Sequence, residues 1–131
     1  MAGGIYIASR TRHAPKWREL RETGWPICST WIDEAGEGET SDFADLWTRC
    51  VAEASSCDAL ILFREADEPL NGALVEAGAA LAHGRPVLGV GTFKSFSHHP
   101  LFTSCGIDYA LSRAMAHCDS NRIARKREGP T

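Results

Sequence analysis

The chain has 131 residues, 44% of them apolar and 24% charged, and carries a formal net charge of −3. That suits one core of an ordinary globular protein, and it supplies neither a global basic field to attract nucleic acid nor the roughly 18 consecutive apolar residues of a membrane span. The five cysteines form no CxxC pair and are odd in number, which reads as reduced thiols and not a disulfide framework.

Residues 4–9 (GIYIAS) are nearly all apolar and predict a first strand buried on both faces. Pro15 opens a helix where its missing N–H costs nothing, Trp17 and Leu20 give it a core face, and Gly24 ends it. Residues 26–32 (PICSTWI) predict a second strand, followed by a polar loop over 34–40. Over 42–55 the apolar positions Phe43, Leu46, Trp47, Cys50, Val51 and Ala54 recur at three and four, an amphipathic helix with Trp47 in the core, as Trp17 is in the first helix. Residues 58–64 (DALILFR) form a central strand, and 65–72 a loop with Pro69 and Asn71-Gly72 as turn chemistry. Residues 73–83 predict a helix ended by Gly84, kept slim by Gly78, Ala79 and Ala80 so that it packs closely on the sheet. A fourth strand follows at 85–91, then a loop over 92–104 that holds His98 and His99. A short edge strand at 107–111 precedes a last helix.

Strands alternating with helix-length crossovers imply a parallel sheet covered on both faces. The expectation is an α/β fold: a single-domain, flavodoxin-like three-layer sandwich over residues 1–121. Its five-stranded parallel sheet has the order 2-1-3-4-5, and 122–131 form a polar, flexible tail. Ligands of such sheets sit beyond the carboxyl ends of the strands at the switch point, where the loops 9–14, 64–73 and 91–99 would meet. The N-terminus lacks the basic region and apolar run of a signal peptide, so the expected location is cytoplasmic. His98 and His99 stand side by side, but no CxxC or HxxxH spacing of a zinc site accompanies them, so neither metal nor cofactor is expected.

The stretch 71–84, NGALVEAGAALAHG, carries the chemistry. Glu76 falls one turn into a helix that begins at the carboxyl edge of the sheet. The helix dipole there favours an ionised carboxylate by about 0.3–1 kcal/mol. Such a carboxylate can attack an anomeric carbon; it can equally serve to cap or salt-bridge the helix start. Arg10 and Arg12 follow the first strand and suit phosphate or solvent. Trp31 suits a nucleobase or the core. Asp58 suits either the pocket floor or a backbone contact.

The Ile-Tyr-Ile strand with Ser9 and Arg10 after it, the Cys57-Asp58-Ala-Leu-Ile-Leu strand, and Gly72-Ala-Leu-Val-Glu76-Ala-Gly78 leading to Gly84-Arg-Pro-Val together resemble the nucleoside 2-deoxyribosyltransferase-like superfamily. That superfamily includes deoxynucleoside monophosphate N-glycosidases. The resemblance implies that Glu76 is the nucleophile of N-glycosidic cleavage or 2-deoxyribosyl transfer on a nucleoside or nucleoside monophosphate. It places the sugar or 5′-phosphate against the loop of Ser9, Arg10 and Arg12, with Trp31, Asp58 and Gly72 also at the substrate. It also implies a homo-oligomer whose subunits complete each other's sites, with a small nucleotide and no nucleic acid or membrane as partner. Where the family has a second acid, eight residues before Asp58, this chain has Cys50, which the helix pattern assigns to packing. The acid can come from Asp67 or Glu68, from Asp33 or Glu34, or be absent. The alternative is a sensor of an NAD-derived nucleotide, or an NAD glycohydrolase, on a similar TIR-like scaffold.

Overall fold

The computed structural model describes residues 3–34 and 41–128. Four parallel strands, β1 (Ile5–Ala8), β2 (Ala59–Phe63), β3 (Val87–Val90) and β4 (Phe102–Ser104), pair in the order β1-β2-β3-β4. Four helices accompany them: α1 (Ala14–Glu22), α2 (Phe43–Ser56), α3 (Gly72–Ala82) and α4 (Ile107–Glu128). Every residue of β1 and β2 is buried, so the centre of the sheet is covered on both faces, as continuous apolar runs require. Helix α3 packs on β1 and β2 and against α2, while α4 packs on β1, β2 and β3. Among the described residues no helix is long and apolar enough to cross a membrane.

Among the described residues the sheet has four strands, not the expected five in the order 2-1-3-4-5. The expected second strand shrinks to one parallel bridge, Ile27 to Ile5, after which the chain turns into a 3-10 turn over Thr30–Asp33. Side chains replace the missing ladder. Ser29 Oγ accepts from the Ile7 N–H (3.2 Å), and the Trp31 indole donates to the Ile7 carbonyl (2.8 Å). The edge of β1 is thereby satisfied without a partner strand. The edge strand expected at 107–111 is instead the start of α4, with Ala110, Leu111, Ala114 and Cys118 buried at helical spacing. The sheet edge comes from β4, inside the stretch expected to be a loop. Residues 122–128 continue α4, and 129–131 lie outside the described residues.

Helix α3 is slim where it must be, but at other positions than expected. Its buried residues are Ala73, Ala77 and Ala80, while Gly78 is exposed with open space beside it. Asp58 closes the amino-terminal end of the sheet. Its carboxylate accepts from the Gly4 N–H (2.8 Å) and from Asn121 Nδ2 (2.7 Å), with Arg125 at 3.5 Å, so it ties the chain start to α4. Gly3 and Gly4 have φ of +121° and +96°, a region open to glycine, and a Cβ on Gly3 would lie 2.9 Å from Asp58 Oδ2.

Gly89 on β3 lies under the ring of Phe102, and that ring is braced by Phe93 and Phe96 at centroid distances of 5.5 and 5.4 Å. A methyl group at Gly89 would overlap the ring, which cannot retreat through its neighbours. Gly89→Ala is expected to destabilise the fold by about 1–3 kcal/mol, read as a lower urea midpoint with an unchanged slope.

Candidate active site

A cavity of about 340 Å³ opens at the carboxyl ends of β1 and β2, within the size range of small-ligand sites. Three segments position its walls. Ser9, Arg10 and Thr11 come from the loop after β1; Leu70, Asn71 and Gly72 lead into α3; Leu46, Trp47 and Cys50 come from α2. Trp31 and Glu34 enter from the turn that replaces the second strand, and Glu76 stands on α3.

The loops are pinned by the largely buried carboxylate of Glu68. Glu68 receives His13 Nε2 at 2.9 Å, Arg12 Nε at 3.0 Å and the Glu65 N–H at 2.7 Å. Burial by itself would raise this carboxyl, but the three donors outweigh it and bring it down to about 2. Ser9 Oγ accepts from the Trp17 indole (2.8 Å), and Arg10 Nη1 reaches the Pro69 carbonyl (3.3 Å), so both loops are tied at the rim.

Glu76 is largely buried, and its Oε2 comes within 3.9 Å of the place a Cβ would occupy on Gly72. The carboxylate is thus folded back over the first turn of α3, as helical side chains tilt, where the dipole favours its charge. Burial still dominates: it pushes the Glu76 carboxyl up to about 7, with the charge of Glu53 adding to the rise and the Tyr6 hydroxyl opposing it. Tyr6 Oη is wholly buried and has no hydrogen-bond partner of ordinary geometry, yet it feels both Glu76 and Cys50. A buried hydroxyl left unpaired is costly, and a small rotation would let it donate to Glu76. Burial also pushes the Cys50 thiol up to about 11, so at neutral pH it is a protonated thiol.

Of the residues singled out from sequence, Glu76, Ser9, Arg10, Trp31 and Gly72 line this one cavity. Three do not. Arg12 spends its guanidinium on Glu65 and Glu68. Asp58 sits at the opposite end of the sheet. Asp67 is exposed outside the cavity, so among the described residues the acid that shares the cavity with Glu76 is Glu34. The loop 91–99 also contributes no lining residue, because Phe93 and Phe96 turn inward onto Phe102. His98 and His99 are exposed, and His99 Nδ1 accepts from the Leu101 N–H (3.0 Å). Trp47, expected in the core, is 46% exposed and forms part of the cavity wall. Tyr6 was hidden in a strand that reads as plain core. Cys50 kept its apolar face, but that face also borders the cavity. Among the described residues no three metal-ligand side chains come together.

The raised Glu76 makes a testable demand on stability. The folded chain holds a proton that the unfolded chain, with its glutamate near about 4.3, releases. The share of stability that Glu76 contributes is therefore full below about 4.3, declines as pH rises towards about 7, and is level above it. Glu76→Gln is expected to erase that decline and to be more stable than the parent at pH 8, measured by urea denaturation across this range.

No protein-family model matches the chain, and none of the curated proteins does. Among solved structures it is similar to the CMP N-glycosidase BcmB of Clostridium botulinum, with a TM-score of 0.50 and 16% identity, covering 86% of this chain and 98% of that one. At that identity the likeness is one of fold, and the α/β architecture with its parallel sheet is shared with that enzyme.

Proposed function

We propose that this protein cleaves the N-glycosidic bond of a nucleoside or nucleotide, with Glu76 as the nucleophile. The observation that carries the reading is the carboxylate of Glu76, buried over the first turn of α3 in a cavity at the strand ends. A fold shared with a nucleotide N-glycosidase and the sequence resemblance support the same reading. Glycosyl transfer through an oxocarbenium-like state needs an anionic group at the anomeric carbon. The dipole of α3 and a Tyr6 hydroxyl in reach supply what keeps Glu76 ionised as positive charge develops on the sugar. Ser9 and Arg10, at the mouth of the cavity, hold the sugar or its 5′-phosphate, Arg10 through the paired donors of its guanidinium. Water or a second base then takes up the sugar. The sensor and NAD-hydrolase alternatives draw no support from the site.

The site departs from two-carboxylate chemistry at the leaving group. Asp67 does not line the cavity, and Cys50 holds a proton too tightly to give it up readily. Protonation of the departing base then falls to solvent or to the base itself. A homo-oligomer belongs to the same reading. Phe43 and Trp47 on α2, and Leu74 and Val75 on α3, are large apolar side chains left exposed on the two helices that carry the cavity. A second copy packs there, so sedimentation of the intact protein is expected to give a homo-oligomer, and Val75→Asp a smaller species.

Chromatography of nucleosides and nucleoside monophosphates incubated with the protein is expected to show free base. Glu76→Gln should lower that release by about 10³-fold or more while leaving the circular dichroism unchanged. Release should rise with pH through about 7 as Glu76 ionises. A folded Glu76→Gln protein with full activity would end the assignment.

A further inference from the structure

The cavity contains a second carboxylate that the proposed cleavage does not use. Arg49 on α2 grips Glu34 with both ends of its guanidinium: Nη1 donates to Oε2, and Nη2 donates to Oε1 at 3.1 Å. The remaining Nη hydrogens go to Thr30 Oγ1 (2.8 Å) and Asp45 Oδ2 (3.1 Å). Thr30 is in turn held by Glu53, through its N–H (3.1 Å) and its hydroxyl (2.8 Å). All four Nη hydrogens are therefore spent, and Arg49 does not line the cavity, whereas Glu34 does. What the ligand meets at this wall is an acceptor fixed in place, with negative charge in excess because Glu34 and Asp45 share one cation. A carboxylate locked in a fork accepts hydrogen bonds and has none to give.

The same cavity is walled by Trp31, Trp47, Leu46 and Leu70, flat or apolar surfaces suited to an aromatic ring. A ring lying on such surfaces is bound well when the group it turns to Glu34 is an exocyclic amino group, whose N–H the carboxylate accepts. A carbonyl in the same place would set acceptor against acceptor, without a donor from Arg49 to relieve it.

We propose that Glu34, held by Arg49, reads an exocyclic amino group of the nucleobase, so that the substrates are nucleotides of amino-bearing bases and not their keto counterparts. This rests on the glycosidase reading and adds a specificity determinant to it. The residue acts on binding and positioning of the base, and the bond-breaking step remains with Glu76.

The test uses matched pairs in which the exocyclic amino group is exchanged for a keto group, with the ring N–H that the exchange brings: CMP against UMP, dCMP against dUMP, and AMP against IMP. Base release by the intact protein is expected to favour the amino member by about 10-fold or more in kcat/KM, since a site built around a hydrogen bond rejects the analogue that cannot make it. Glu34→Gln can turn either its oxygen or its amino group to the ligand, so the preference should shrink to within about three-fold. Calorimetric binding of the same pairs to Glu76→Gln, which keeps Glu34 intact, should show the same preference without turnover. Equal or faster release of the keto bases by the intact protein would overturn the proposal and leave the glycosidase reading standing. So would an unchanged preference in a folded Glu34→Gln protein. Preferential binding of amino bases with no release of any base would keep the proposal and sink the glycosidase reading. Neither binding nor release would sink both.

Discussion

The structure turns on the free edge of β1. A parallel strand leaves alternate N–H and C=O groups on each side, and at Ile7 both are claimed by side chains, the hydroxyl of Ser29 and the indole of Trp31. Because those two bonds stand in for a backbone ladder, the chain can leave the sheet after Ile27 and turn away. That departure makes room at the strand ends. It also carries Trp31 and Glu34 into the cavity wall, where a regular second strand would have run past. The loss of a strand and the gain of a cavity wall are one event.

The rest of the site is built by opposing electrostatic demands. Glu68 is buried but richly supplied with donors, so its charge is stabilised and can pin the two loops at the cavity mouth. Glu76 is buried with fewer donors, so its charge is strained. That imbalance between burial and donors is what moves a carboxyl towards neutral pH. The strain is a cost to folding that the apolar packing of β1, β2 and α3 offsets. Glu34 shows a third arrangement, in which a guanidinium whose four Nη hydrogens are all engaged turns a carboxylate into a fixed acceptor.

Much of the fold was legible because it depends on local pattern. The runs at 4–9, 58–64 and 85–91 could only be buried strands, and the spacing of Phe43 to Ala54 could only be a helix. The position of Glu76, one turn into a helix after a central strand, follows from the same counting. The errors lie where a local preference met a tertiary alternative. PICSTWI has the β-branched and aromatic residues of a strand, yet two of its side chains bond β1 in place of its backbone. Residues 107–111 read as a short edge strand, and in the fold they open α4, with Ala110 and Leu111 buried at helical spacing. Trp47 satisfied a helical core pattern on a helix that has a cavity beside it.

By itself, then, the sequence determined the class of fold, the order of most elements, and the edge of the sheet at which Glu76 stands. These follow from hydrophobic period and chain connectivity, which act over a few residues at a time. Only the tertiary structure decided which polar groups share a cavity. It separated Arg12, Asp58 and Asp67 from Glu76 and brought Tyr6, Trp47 and Glu34 to it. The physical reason is that hydrogen bonds and ion pairs between distant segments are settled by competition among all the partners within reach, and no spacing along the chain records which partner wins.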